Sequence, residues 1–170
     1  MKLPATAHTS QPWRIHAIAS DFRLEDVWLL PGPTDVRDAL ARFTRYDPAR
    51  SSSGAVRALF GLRSKLGDIF GWDDVADAPS LRDRVPAELR TELPRATPFS
   101  SLYLTEDEWA GELANKTVHG VLHLGRVDGH VQLAILVKPN GLFGRAYMAA
   151  IKPFRHLIIY PRLLREAGGA

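Results

Sequence analysis

The chain has 170 residues, 45% hydrophobic and 24% charged, which is enough for one domain with its own core. It contains no cysteine, which excludes disulfides, thiolate metal sites and a cysteine nucleophile, and fits a cytoplasmic protein. The formal charge of +3 and pI near 9.4 do not mark a nucleic-acid binder, because basic residues alternate with acids, as in Leu81-Arg82-Asp83-Arg84, instead of forming a stripe.

Residues 1–11 are small and polar and lack the apolar core of a signal peptide, so they read as a flexible N-terminal arm ahead of a single domain at 12–170. Residues 21–30 read as a first strand with Phe22, Leu24 and Trp28 on one face, interrupted there by Asp26 and stopped by Pro31-Gly32-Pro33. Thr34 is placed to cap a short helix at 35–43 whose stripe is Val36, Leu40 and Phe43. A second helix at 54–70 follows a serine-rich loop, with Val56, Leu59, Phe60, Leu66, Ile69 and Phe70 at helical spacing. Its Arg57, Arg63 and Lys65 form a solvated face, the alternative being a face resting on an anionic membrane. Residues 71–99, broken by Pro79, Pro86, Pro94 and Pro98, read as turns and short helices in a long connection.

The last third changes period. Residues 100–104, 108–114, 117–125 and 130–137 read as strands, the last two joined by a turn at Val127-Asp128-Gly129. Val131, Leu133, Ile135 and Val137 share a face, with Gln132, Ala134 and Lys138 on the other, which predicts an antiparallel sheet with one buried face, although Leu136 blurs it. From Gly141 a long helix would bury Phe143, Tyr147, Ile151, Phe154 and Ile158, and Pro153 would bend it. No apolar run approaches the roughly 20 residues of a membrane span, since 142–160 is cut by Arg145, Lys152, Arg155 and His156. The order of strand, helices, strands and terminal helix is an α+β pattern.

The segment Lys138-Pro139-Asn140-Gly141-Leu142-Phe143-Gly144-Arg145-Ala146-Tyr147, followed by Pro153-Phe154-Arg155-His156, resembles the hallmark of the domain of unknown function 2867 family. Pro12-Trp13-Arg14-Ile15-His16, residues 21–28 and residues 118–125 are similar as well, so the resemblance runs from about Gln11 to Leu164. It implies a START-like (SRPBCC) helix-grip fold, in which a curved antiparallel sheet wraps a long C-terminal helix. Some members of the family are attached to nicotinamide-binding reductase-like domains, but this chain has no Gly-x-Gly-x-x-Gly fingerprint and no cofactor is expected. The resemblance leaves the chemistry open.

His119 and His123 invite a metal reading, yet on a strand they lie about 13–14 Å apart, too far for one ion to bridge. They read instead as packed, hydrogen-bonded or pocket-lining groups. Asp26, Arg145, Tyr147, His156 and Tyr160 are polar groups inside apolar patterns, and each needs a partner if buried. Asp26 and Arg145 either pair with each other or with backbone, or help orient a ligand in an apolar cavity. Ser52 and Ser53 lack a nucleophile elbow and read as helix capping. Trp13, Trp28, Trp72 and Trp109 read as core or lid residues.

The resulting expectation is a binder of a small apolar or aromatic ligand, held between sheet and terminal helix by Trp28, His119, His123, Arg145, Tyr147 and His156. The alternatives are an isomerase, cyclase or hydratase using His119, His123, Tyr147 and His156 as acid–base groups, and a partner module for reductase-like proteins. Neither metal nor nucleic acid is expected, and a homodimer is left open.

Overall fold

The computed structural model of the protein describes residues 1–45, 80–90, 99–114 and 118–139. In chain order these form β1 (Lys2–Leu3), α1 (Thr6–Thr9), α2 (Ile15–Ile18), β2 (Arg23–Leu29), α3 (Val36–Arg45), β3 (Ser100–Leu104), β4 (Glu108–Ala114), β5 (Val118–Val127) and β6 (His130–Pro139). Two short 3-10 helices, Leu81–Arg84 and Ala87–Leu89, lie between α3 and β3. The strands make one six-stranded antiparallel sheet in the order β1-β2-β6-β5-β4-β3. The molecule is therefore α+β. Among the described residues no helix is long and apolar enough to cross a membrane.

The β5–β6 hairpin is built by its turn. Asp128 and Gly129 take φ values of 50° and 73°, the left-handed pair of a two-residue hairpin whose twist matches its strands. Val127 then faces His130, and the register runs unbroken to Val118 opposite Pro139. At the other end of the sheet Met1 donates its amino N–H to Leu29 O at 3.0 Å, holding β1 on the edge of β2.

Both faces of the sheet are covered, which departs from the one-sided burial that β6 predicts. One face carries Val27, Tyr103, Ala110, Val121, Ala134 and Leu136, packed under Trp13, Ile15 and Ile18 from the N-terminal segment and under Leu81 and Val85. The other carries Trp109, Leu122, Leu124, Val131 and Leu133 against Val36, Ala39 and Leu40 of α3. The N-terminal segment occupies the face that the Gln132–Ala134 alternation leaves for solvent. We call these the histidine face and the tryptophan face.

Two local expectations change. Residues 1–11, read as a flexible arm, supply β1 and α1 and bury His8 at 1% exposure. In β2 the register shifts between Leu24 and Asp26, so the alternation reverses phase. Phe22 and Leu24 therefore pack with Val27 on the histidine face, whereas Trp28 packs on the tryptophan face. Asp26, 2% exposed, is paired with Lys2 Nζ at 2.9 Å.

Helix α3 matches its predicted stripe, with Val36 and Leu40 buried and Phe43 half-buried against Phe99. Its cap is Asp35 and not Thr34: the Asp38 N–H donates to Asp35 Oδ1 at 2.7 Å, satisfying one of the open amides of the first turn. The predicted helix at 54–70, residues 71–79 and the terminal helix with Pro153 lie outside the described residues.

Candidate functional site

The histidine face brings together polar side chains from separate parts of the chain: His8, Arg14 and His16 near the N-terminus, Tyr103 on β3, Glu108 and Glu112 on β4, and His119 and His123 on β5. The cross-strand row Val27, Ala134, His123, Ala110 and Tyr103 spans β2, β6, β5, β4 and β3, and the next row places Glu108 opposite Gly125. Since side chains alternate along a strand, Glu108 and Glu112 share this face with His119 and His123. Each glutamate meets a histidine diagonally across the β4–β5 pair: Glu108 Oε2 lies 3.4 Å from His123 Nε2, and Glu112 Oε2 lies 2.9 Å from His119 Nε2.

The Glu108 centre is the larger. Glu108 Oε2 accepts from the Arg14 backbone N–H at 3.0 Å and from Tyr103 O–H at 2.9 Å, and Oε1 accepts from the Arg14 guanidinium at 2.8 Å. Burial alone would raise this carboxyl, but the His123, Tyr103 and Arg14 hydrogen bonds outweigh it and hold it below its ordinary value. An ionised carboxylate only accepts, so His123 presents Nε2–H to it. Beyond His123 the contacts continue outward: His8 Nε2 is 3.0 Å from His123 Nδ1, and His16 Nε2 is 3.1 Å from His8 Nδ1.

Burial keeps the imidazoles neutral. His8 is pushed down to about 3, first by burial and then by its neighbours His123 and His16. His123 and half-buried His16 are lowered as well, burial again being the largest cause. Tyr103 is held far above the ordinary phenol value by burial and by the Glu108 carboxylate it faces. The indole of Trp13 closes the top, 5.3 Å from the His123 ring, and Gly125 makes room for it, since a Cβ there would stand 2.8 Å from the indole.

The Glu112 centre has the same core and a smaller periphery. Glu112 accepts from Leu81 N–H at 2.9 Å and from Ser80 O–H, fastening the 3-10 helix at Leu81–Arg84 to the sheet. Its carboxyl is held below its ordinary value: burial pulls upward, but the His119, Ser80 and Leu81 hydrogen bonds prevail. Phe22 stands edge-on to His119 with ring centroids 4.9 Å apart. The covering segment is held further by Arg84, which donates to Asp21 at 2.7 Å, as does Lys138.

Of the residues singled out from sequence, His119 and His123 are buried on the same face, each with its own glutamate. Trp28 is on the opposite face, half-buried beside Leu133 and 5.8 Å from Lys2 Nζ, so it cannot share one pocket with both histidines. Arg145, Tyr147, His156 and Tyr160 lie outside the described residues. Sequence reasoning missed His8, His16, Glu108, Glu112 and Tyr103. One signal was available: Glu108 and Glu112 repeat the four-residue spacing of His119 and His123 on the preceding strand. Among the described residues no three His, Asp or Glu side chains form a group that could hold a metal ion.

The tryptophan face differs in chemistry. Trp28, Leu133, Leu124, Trp109 and Leu104 form one apolar row across β2, β6, β5, β4 and β3. Trp109 folds over Gly111, whose Cβ would lie 2.6 Å from the indole, and donates Nε1–H to Ser101 Oγ at 3.0 Å. A family model described as "Protein of unknown function (DUF2867)" matches residues 18–162. No curated protein and no solved structure matches the chain.

Proposed function

Since the chain belongs to the DUF2867 family, whose description assigns no activity, we propose that it is a binding protein for a small, largely apolar or aromatic molecule. The ligand lies on the tryptophan face of the sheet. The observation that supports this reading is the apolar row Trp28, Leu133, Leu124, Trp109 and Leu104, which crosses five strands with no charged side chain in it. Binding sites for apolar molecules are lined in this way, with few polar groups to set orientation. The histidine face differs in polarity, since it buries Glu108, Glu112, His119 and His123 among its apolar groups.

On this proposal the fold is START-like. Residues 141–160, read from sequence as a bent helix, close the pocket over the tryptophan face in a helix-grip arrangement, and Arg145, Tyr147 and His156 supply its polar contacts. The setting is the cytoplasm, and no cofactor is required. Of the acid–base alternative's four residues, His119 and His123 stand on the other side of the sheet from Trp28, where Glu108, Glu112 and Tyr103 join them, and would form a separate site.

Native mass spectrometry of the purified protein and titration with 1-anilinonaphthalene-8-sulfonate test the reading together. The expected result is a retained small molecule, or saturable probe binding at one site, that is lost in Trp28→Arg while the fold persists. Absence of both a retained molecule and saturable binding, or probe binding indifferent to Trp28→Arg, would refute it.

A further inference from the structure

The chain His16, His8 and His123 sets a limit on how many protons the N-terminal segment can hold while it stays docked. Each N···N contact, at 3.1 and 3.0 Å, accommodates one proton: two would oppose N–H to N–H, and none would oppose two lone pairs. The contact with Glu108 also takes one, because the carboxylate only accepts. When all three rings are neutral, each is therefore the Nε2–H tautomer, with its donor pointing toward Glu108. One extra proton fits on His16 Nδ1 at the half-buried end, with every contact kept. A second extra proton has no such place.

We infer that these three histidines form an acid-opened clasp: they keep residues 6–19 on the sheet while holding at most one extra proton, and the next one releases that segment and uncovers Glu108 and Tyr103. The other groups facing the clasp are Arg14 just before α2, Glu108 on β4 and Tyr103 on β3, while β2 and β6 bring only Val27, Leu29, Ala134 and Gln132 to the same two rows. Arg14 opposes release as long as Glu108 is ionised, which it is throughout the histidine range. Paired strand β1 is outside the clasp and stays on the edge of β2. The inference concerns the histidine face and stands apart from ligand binding on the tryptophan face.

The balance fixes the steepness. Freed imidazoles titrate near the ordinary 6.5, so the open form takes up three protons, two on the released segment and one on His123 of β5, where the closed form holds one. The opening constant should then rise about a hundredfold per pH unit where the closed form already holds its proton on His16, and more steeply between there and 6.5, because burial lowers His16 in the closed form. Hydrogen exchange measured from pH 6.5 to 4.5, corrected for the intrinsic rate, reads this at Ala19, whose N–H donates to Ile15 O at 2.8 Å. The expected outcome is that Ala19 loses protection this steeply while β5 and β6 amides keep theirs. His16→Gln, at the exposed end of the chain, should reduce the steepness to about tenfold per unit, because one titrating ring is gone. His8→Gln should reduce it to tenfold or less, since its amide can present either a donor or an acceptor to each neighbour. Side-chain nitrogen spectra of the unaltered protein at pH 8 should show three Nε2–H tautomers, whether or not the variants fold. An Nδ1–H tautomer at any of the three, unchanged steepness in His8→Gln, or loss of Ala19 protection in step with β5 and β6 would overturn the inference.

Discussion

Two glutamate–histidine pairs stand four residues apart on the same two strands, and they do different work. Glu112 and His119 fasten a 3-10 helix through Ser80 and Leu81, and among the described residues their hydrogen bonds reach no second imidazole. Glu108 and His123 fasten α2 through the Arg14 amide, and their contacts run on through His8 to half-buried His16 and inward to Tyr103. In both, a carboxylate on β4 accepts the backbone N–H at the start of a helical turn, which pins a covering segment to the sheet. The difference lies in what the histidine's second nitrogen meets. For His123 it meets another imidazole, so the fastening becomes sensitive to protons.

The largest effect should come from Glu108→Ala, which leaves Arg14, Tyr103 and His123 without their shared acceptor. Removing one member of a buried charged network costs about 3–5 kcal/mol, measurable by urea unfolding. If Glu108→Ala costs no more than Glu112→Ala, the two centres are equivalent and the contrast fails. Glu112→Ala should cost about 1–3 kcal/mol, because its partners are a hydroxyl, one amide and an imidazole, with no guanidinium among them.

The pH dependence sharpens the same contrast. Folded His8 stays neutral down to about 3 whereas the unfolded ring titrates near 6.5, so the unfolded chain binds more protons in between. The His8 contribution is therefore fully present above pH 6.5 and lost as the pH falls toward 3, at up to about 1.4 kcal/mol per pH unit. Glu108 and Glu112, with lowered values, add their losses only below the ordinary 4.5, so unfolding measured between pH 6.5 and 4.5 isolates the histidines. The slope should persist in Glu112→Ala and shrink in His8→Gln.

The glycine substitutions run from an effect of the Glu112→Ala size down to almost none. Gly125→Ala would push a Cβ to 2.8 Å from Trp13 and 3.0 Å from His123, costing about 1–3 kcal/mol through displacement of the cover. Gly120→Ala, next to His119, meets nothing nearer than 3.9 Å and should change stability by less than about 0.5 kcal/mol. Equal effects at both positions would mean that Trp13 is not held tightly over the Glu108 centre.

Much of the sheet was legible. The strands at 100–104 and 108–114, the hairpin at 127–130 and the stripe of α3 follow from alternation, turn chemistry and helical spacing, which are local properties. The shared face of His119 and His123 was legible for the same reason. Their partners were not: Glu108 and Glu112 meet them diagonally, which depends on the β4–β5 register. The bulge at Leu24/Asp26 reversed the expected face of Trp28, because one extra residue inverts a period of two. His8 and His16 were hidden in a segment whose small polar composition reads as an arm, and only burial against the sheet gives those rings a role.

By itself, then, the sequence determined an α+β chain with a run of antiparallel strands, its family, and two histidines on one side of a strand. The tertiary structure decided which face each covering segment takes, and so which histidine has an exit toward solvent. Local pattern sets the side of a strand on which a residue lies. What lies across from it is set by pairing between distant segments, and a chain of hydrogen-bonded imidazoles exists only where three such segments meet.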